Sequence, residues 1–85
     1  MEYLVIAFRS RSDTIKFTEF LKKNNIPAEI VNTPKEAGVG CGLSTKVSRH
    51  YENIVKKAIK IANQKSFAGV FLVRKFSGKY LVRSI

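Results

Sequence analysis

The chain alternates segments of helical and strand periodicity, and this order limits the folds that it can adopt. Segments 12–23 and 51–64 repeat apolar residues at helical spacing, and apolar runs of strand length precede, separate and follow them. The run 43–48 alternates only loosely, which is typical of an exposed strand, and Ser77-Gly78 is a turn signal. We therefore predict an α+β domain with a ferredoxin-like βαββαβ plait. It has an antiparallel sheet, two helices on one face and room for an extra C-terminal strand.

The two helices carry signals for their ends and faces. Ser12 with Asp13 can cap the first helix, with Ser10 as the other candidate cap. Asn24-Asn25 can end it, because Asn tolerates the left-handed conformation. The second helix is predicted to bury one apolar face, formed by Ile54, Val55, Ala58, Ile61 and Ala62.

Composition indicates one small globular domain, residues 1–85. A hydrophobic fraction of 45% with 26% charged residues is globular rather than disordered, and 85 residues provide too little chain for two cores. No apolar run approaches the roughly 20 residues that span a bilayer, and the start lacks the basic region of a signal peptide. One cysteine cannot form an internal disulfide, so we expect a cytoplasmic protein with a reduced thiol.

Positive charge is concentrated in one part of the chain. Residues 32–85 carry eleven basic and two acidic residues, whereas residues 1–31 carry five and four. Such asymmetry indicates an acidic partner, which could be nucleic acid, a phosphate-bearing ligand or an acidic protein surface. We expect weak, salt-sensitive binding to polyanions or nucleic acid, without recognition of specific bases.

Residues 33–42 interrupt the periodic pattern and are predicted to form an exposed loop between the second and third strands. They hold the only cysteine and three of the five glycines. Because glycine leaves its backbone N–H groups accessible, Gly38, Gly40 and Gly42 can form an anion-binding nest around Cys41. Such a nest would stabilise a thiolate, which is the reactive form of cysteine, and equally a persulfide or selenide. The alternative is that Cys41 is a small buried hydrophobe.

Several polar residues near the cysteine in sequence are candidates to assist it. Lys35 and Lys46, with Arg49 and His50, could place positive charge near the sulfur. His50 is alternatively a polar residue at the start of the second helix. Glu36 could pair with one of the lysines or cap a short turn.

Over residues 3–73 the chain resembles the selenium/sulfur carrier-like family of small bacterial proteins. The most specific part is a Pro, a basic residue and a Glu followed by Cys-Gly, here residues 34–36 and 41–42. The family often has Arg at the position of Lys35, and often serines just before the cysteine, where this chain has residues 38–40. The resemblance implies that Cys41 accepts sulfur or selenium, and that donor and acceptor proteins are its partners. The candidate binding residues around it are Lys35, Glu36, Gly38, Gly40, Gly42 and Lys46.

Three functions stay open at this point: a thiol-based carrier, a basic nucleic-acid- or phosphate-binding module, and a small regulatory interaction domain. No enzymatic turnover, cofactor or metal is expected, because the sequence contains no plausible triad, P-loop or set of metal ligands. A homodimer is a further expectation. A second copy could cover the sheet face opposite the helices, where Phe8 or Phe71 would otherwise be exposed.

Overall fold

The structure, a computed structural model, describes residues 1–85 and contains one five-stranded sheet and two α-helices. In chain order the elements are β1 (Glu2–Phe8), α1 (Arg11–Lys23), β2 (Glu29–Asn32), β3 (Leu43–Ser48), α2 (Glu52–Ala62), β4 (Phe67–Phe76) and β5 (Lys79–Ser84). The strand order is β2-β3-β1-β4-β5, and every neighbouring pair is antiparallel. The prediction of an α+β chain with an antiparallel sheet, two helices and an extra C-terminal strand is confirmed. Neither helix has the length and apolar character needed to cross a membrane.

Both helices pack against the same face of the sheet. Successive side chains of a strand point to opposite faces, so Leu4, Ile6 and Phe8 share one face of β1. These three form a single buried cluster with Phe17 and Leu21 of α1 and with Val55 and Ala58 of α2. The core therefore lies between the helices and this face of the sheet.

The N-terminus of α1 is capped by the second of the two predicted candidates, and its C-terminus ends where it was predicted to end. Ser10 is the N-cap, and its Oγ accepts a hydrogen bond from the Asp13 N–H at 3.3 Å. Asp13 does not cap α1, because its carboxylate accepts bonds from the backbone and side chain of Ser66. Asn25 has a positive φ of 62°, which is the left-handed conformation expected beyond the helix end.

The buried face of α2 differs from the predicted one. Ile54 and Ile61 are 49% and 73% exposed, whereas Ile59 packs against the core. Val55, Ala58 and Ala62 of the predicted face do contact the core, so the buried face is shifted only partway around the helix, away from Ile54 and Ile61 and toward Ile59.

The prediction that residues 43–48 form an exposed strand is wrong. β3 lies between β2 and β1, and Ser44, Thr45 and Val47 are buried. The buried hydroxyls are paired: Thr45 Oγ1 lies 2.8 Å from Thr18 Oγ1, and Ser44 Oγ lies 2.6 Å from Thr33 Oγ1. Hydrogen bonding of this kind lets polar side chains occupy an interior strand, which explains why hydrophobic alternation is weak there.

The sheet face opposite the helices is covered within the chain. Val5, Ala7, Phe71 and Val73 point to this face and are buried, although they lie outside the helix-side cluster. The turn at residues 35–37 lies beside β5, so the connection from β2 to β3 reaches across this face. Phe71 is thus covered without a second copy.

Phe8, the other residue that motivated a homodimer, faces the helices and is buried in the helix-side core. These two phenylalanines therefore give no reason to expect a dimer.

Candidate functional site

Residues 33–42 form a closed loop between β2 and β3. The Thr33 N–H donates to the Gly42 carbonyl oxygen at 2.8 Å, which joins the two ends of the loop. A short 3₁₀ turn, Lys35–Ala37, follows Pro34, and Gly38 ends it in the left-handed conformation with a φ of 67°. The loop is therefore held by its own backbone and is not an unstructured connection.

Cys41 is an exposed free thiol that the backbone ties to the end of β1. Its N–H donates to the Phe8 carbonyl oxygen at 3.0 Å, at the point where the chain leaves β1 for α1. Its Sγ lies 3.9 Å from Thr14 Oγ1 and donates weakly to the Leu43 carbonyl oxygen at 3.7 Å. The sulfur consequently lies beside the first turn of α1.

The first turn of α1 is a favourable environment for an anion. The N–H groups of Arg11 and Ser12 have no acceptor within the chain, whereas that of Asp13 is satisfied by the Ser10 side chain. The N-terminus of a helix carries partial positive charge and typically stabilises a nearby anion by about 0.3–1 kcal/mol.

Of the three glycines predicted to form an anion-binding nest, only two have a free N–H group. Gly38, Gly40 and Gly42 all have positive φ values, of 67°, 96° and 97°. However, the Gly38 N–H donates to Lys35, and the Cys41 N–H is used by Phe8. The N–H groups of Gly40 and Gly42 are the ones without an acceptor in the chain, so only these two are free to contact an anion.

Gly40 is also the point at which the loop touches β1. A Cβ atom built there would lie 3.2 Å from the Phe8 carbonyl oxygen and 3.6 Å from the Ala7 Cβ. A glycine at this position therefore allows the close approach that brings Cys41 to the end of β1.

The loop separates the predicted site residues into two groups. A cleft of about 250 Å³ is lined by Thr33, Pro34, Lys35, Gly38, Val39, Gly40 and Gly42. Cys41 is not among the lining residues, because its sulfur points toward α1. Glu36 is exposed on the 3₁₀ turn and forms no salt bridge. Lys35 and the glycines therefore share a surface that the sulfur does not face.

The ammonium group of Lys46 is engaged elsewhere. Its Nζ lies 3.6 Å from Glu29 Oε1 and 4.4 Å from the centroid of the Tyr3 ring. These contacts hold Lys46 over the sheet face opposite the helices, rather than at the sulfur, which lies beside α1.

The hypothesis that Arg49 or His50 places charge near the sulfur is wrong. Both follow β3, whose six residues span about 17 Å from the end near Cys41. Arg49 binds Glu2 at 2.6 Å, and the His50 N–H donates to Ser48 Oγ at the start of a 3₁₀ turn. His50 is thus a polar residue at the entry to α2, as the alternative interpretation predicted.

Thr14 is the residue at this site that the sequence analysis missed. It is fully buried, and its hydroxyl lies 3.3 Å from the carbonyl oxygens of Ser10 and Leu43, in addition to its contact with Cys41. The available signal was that Thr14 and Thr18 are spaced to share the buried face of α1 with Phe17. Polar residues on a buried helix face usually have a specific hydrogen-bond partner.

Comparison with known proteins identifies one family. A family model described as "Putative Se/S carrier protein-like" matches residues 3–69. The match extends from β1 into β4 and includes both Thr14 and Cys41. No curated protein and no solved structure matches the chain.

Proposed function

This chain belongs to the Se/S carrier protein-like family, and from that premise we propose that it is a thiol-based carrier. Cys41 accepts sulfur or selenium from a donor protein and passes it to an acceptor protein. The observation that carries the proposal is the position of the sulfur, which is exposed, beside the first turn of α1 and 3.9 Å from the Thr14 hydroxyl.

The loading step is a thiol exchange that balances without an external oxidant. The Cys41 thiolate attacks the outer sulfur of a donor persulfide, R–S–SH, so that a bond forms between Cys41 Sγ and that sulfur. The S–S bond of the donor breaks, and the donor leaves as the thiolate R–S⁻. The product is Cys41–S–SH, which retains the proton of the outer sulfur. In the discharge step, an acceptor thiolate attacks the outer sulfur of Cys41–S–SH and Cys41 leaves as the thiolate. The same exchange balances for a donor R–S–SeH, whose outer atom is selenium.

The surroundings of the sulfur suit both states of the carrier. The attacking thiolate is an anion, and the persulfide becomes one when its outer sulfur loses the proton, so both would lie beside the partial positive charge at the N-terminus of α1. Thr14 has one hydroxyl proton, which can turn from the Ser10 carbonyl oxygen toward an anionic sulfur. On the surface of the loop that the sulfur does not face, Lys35 and Glu36 of the exposed turn would contact a partner protein.

The carrier function is tested by mass spectrometry of the intact protein. The chain is incubated with a cysteine desulfurase and free cysteine, and in parallel with a selenocysteine lyase and selenocysteine. Wild type is expected to gain one sulfur or selenium atom that a reductant removes, and Cys41→Ser is expected to gain none. Absence of the adduct on wild type, while the donor enzyme itself carries a persulfide, would refute the proposal.

A cytoplasmic location, in which thiols stay reduced, is part of the proposal.

Polyanion binding is a second candidate function, which one feature favours. Residues 53–85 carry eight basic residues and no acidic residue, and six of the eight have no ion-pair partner, since only Lys56 and Arg74 are paired, with Glu52 and Glu2. Such a surface would bind a single-stranded oligonucleotide with an affinity that falls steeply with salt and is the same in Cys41→Ser. Binding that is insensitive to salt would exclude this candidate.

The topology is best interpreted as a ferredoxin-like plait with one added strand. In support, β1 lies between β3 and β4, is antiparallel to both, and shares its helix-side residues with α1 and α2. On this interpretation, β5 extends the plait beyond β4. An experimental structure with the helices on opposite faces of the sheet would contradict it.

A further inference from the structure

A groove separates α2 from the hairpin formed by β4 and β5, and has a volume of about 450 Å³. Its apolar residues are Ile59, Phe67, Val70 and Ile85, and its polar residues are Lys56, Lys60, Asn63 and Gln64. The terminal residue Ile85 is fixed in this position, since its N–H donates to the Val70 carbonyl oxygen at 2.9 Å. The groove is therefore an apolar channel with lysines along its helix side.

The two charged side chains that line this groove, Lys56 and Lys60, are both positive. The chain from residue 53 onward contains no acidic residue, and it supplies every residue that lines the groove. Lys60 has no ion-pair partner, whereas Lys56 is paired with Glu52 at 3.3 Å. Arg83 lies opposite Leu72 in the β4–β5 register, so it adds positive charge on the helix-side face of β5. The unpaired charges of Lys60 and Arg83 therefore favour an acidic occupant over a basic one.

The floor of the groove favours a peptide over a nucleic acid. Three of its four apolar residues are aliphatic, and the ring of Phe67 is packed edge-on against Phe8. Nucleic-acid channels instead present aromatic rings on which bases stack. Aliphatic floors take up apolar side chains of a peptide, and the outer edge of β5 has unpaired backbone groups that can hydrogen-bond to one.

One end of the groove lies near the thiol. Gln64 Nε2 donates to the Asp13 carbonyl oxygen at 3.1 Å, and Asp13 immediately precedes Thr14, which contacts Cys41. Gln64 and Cys41 thus contact consecutive residues of the first turn of α1, a helix about 10 Å across with its side chains. A protein held in the groove would have part of its surface next to the sulfur.

We propose that the groove between α2 and β5 docks an acidic segment of a partner protein, with apolar side chains of that segment seated on Ile59, Val70 and Ile85. This site goes beyond the carrier function and needs no chemistry at Cys41. Docking contacts come from the apolar floor, and the lysines select acidic over basic segments.

The probe for this site is a synthetic peptide of alternating Glu and Leu residues, titrated into the ¹⁵N-labelled full chain and followed by NMR. Amide shifts are expected along α2, at Ile85 and on β5. The variant Lys56→Gln/Lys60→Gln is expected to weaken binding about tenfold. The matched control, Lys22→Gln/Lys23→Gln, removes the same charge from the far end of α1 and is expected to leave binding unchanged. Cys41→Ser is also expected to bind the peptide normally, so docking and carriage are tested separately.

Three results would overturn the docking site. The first is equal binding of a polyglutamate peptide without leucine, because the apolar floor would then be unused. The second is displacement of the Glu-Leu peptide by an oligothymidylate that shifts the same amides, which would make the groove a nucleic-acid site. The third is an equal loss of affinity in the α1 control. If the double variant fails to fold, Ile85→Ser at the chain end provides the same test and is expected to weaken peptide binding.

Discussion

The hydroxyl oxygen of Thr14 lies 3.9 Å from the sulfur of Cys41, although the two residues are 27 positions apart in the sequence. The contact exists because the Cys41 N–H is bonded to the end of β1, and α1 begins directly after that strand. A buried hydroxyl thus lies against an exposed thiol at the positive end of a helix. We therefore expect the reactivity of Cys41 to depend on Thr14, a residue outside its own loop.

Replacing Thr14 by valine should slow the chemistry of Cys41. A hydrogen bond to a charged group contributes roughly 1.5–3 kcal/mol, and over this long contact we expect a smaller effect, about threefold to tenfold in rate. The rate of alkylation by iodoacetamide at neutral pH measures it, with circular dichroism as the check on folding. Thr14→Ser keeps the hydroxyl and should react at close to the wild-type rate. An equal rate for Thr14→Val and wild type would show that the hydroxyl does not act on the sulfur.

Two glycines of the loop provide a matched test of how it contacts β1. Gly40 and Gly42 have nearly the same φ, 96° and 97°, but only Gly40 would place a Cβ against the Phe8 carbonyl oxygen, at 3.2 Å. Each change to alanine should cost about 1 kcal/mol of unfolding free energy through strain, and Gly40→Ala about 1 kcal/mol more. Urea denaturation gives both values. Equal losses would mean that the loop does not press on β1 at Gly40.

The orientation of α2 can be checked with one buried and one exposed residue. Val55 is fully buried, whereas Ile61 is 73% exposed. Val55→Ala should reduce the free energy of unfolding by roughly 1.5–3 kcal/mol, because buried methyl groups and their contacts are lost. Ile61→Ala should change it by less than about 0.5 kcal/mol. A larger loss for Ile61→Ala than for Val55→Ala in thermal or urea unfolding would contradict the buried face of α2 that the structure shows.

Glu2 should contribute to stability in a pH-dependent way. Hydrogen bonds from Arg49 and then Arg74 lower the pKa of Glu2 from its ordinary value of 4.5. A carboxylate with a lowered folded-state pKa stabilises the fold above its unfolded-state pKa, and the contribution is lost as pH falls through the folded-state value. Glu2→Gln should therefore melt below wild type at neutral pH, and the difference should shrink in acid and in high salt. If the difference in melting temperature between wild type and Glu2→Gln grew as the pH fell, the ion pairs of Glu2 with Arg49 and Arg74 would not be the source of the stabilisation.

The order of elements could be predicted from the sequence because periodicity and end signals are local properties. Asn25 takes the positive φ predicted for the end of α1, and the turn at Ser77-Gly78 leads into β5. Which isoleucines of α2 are buried could not be predicted, since Ile54, Ile59 and Ile61 are equally apolar. Only the tertiary fold places Ile59 against the core.

The candidate site was less predictable, because its geometry depends on long-range contacts. The exposure of Cys41 follows from its glycine-rich loop, but the contact with Thr14 requires the loop to return to the end of β1. Residues close in sequence are not always close in the fold. His50 is only nine positions from Cys41, but the extended strand β3 places it at the other end of the sheet.

The most direct test of the carrier function is the transfer of labelled sulfur between proteins in a single turnover. A desulfurase charged with radiolabelled persulfide is mixed with an equimolar amount of the chain, and label on each protein is followed over time. We predict transfer of one sulfur per chain to wild type, slower transfer to Thr14→Val and none to Cys41→Ser. Label that stays on the charged desulfurase, or that reaches Cys41→Ser as readily as wild type, would contradict a carrier function for Cys41.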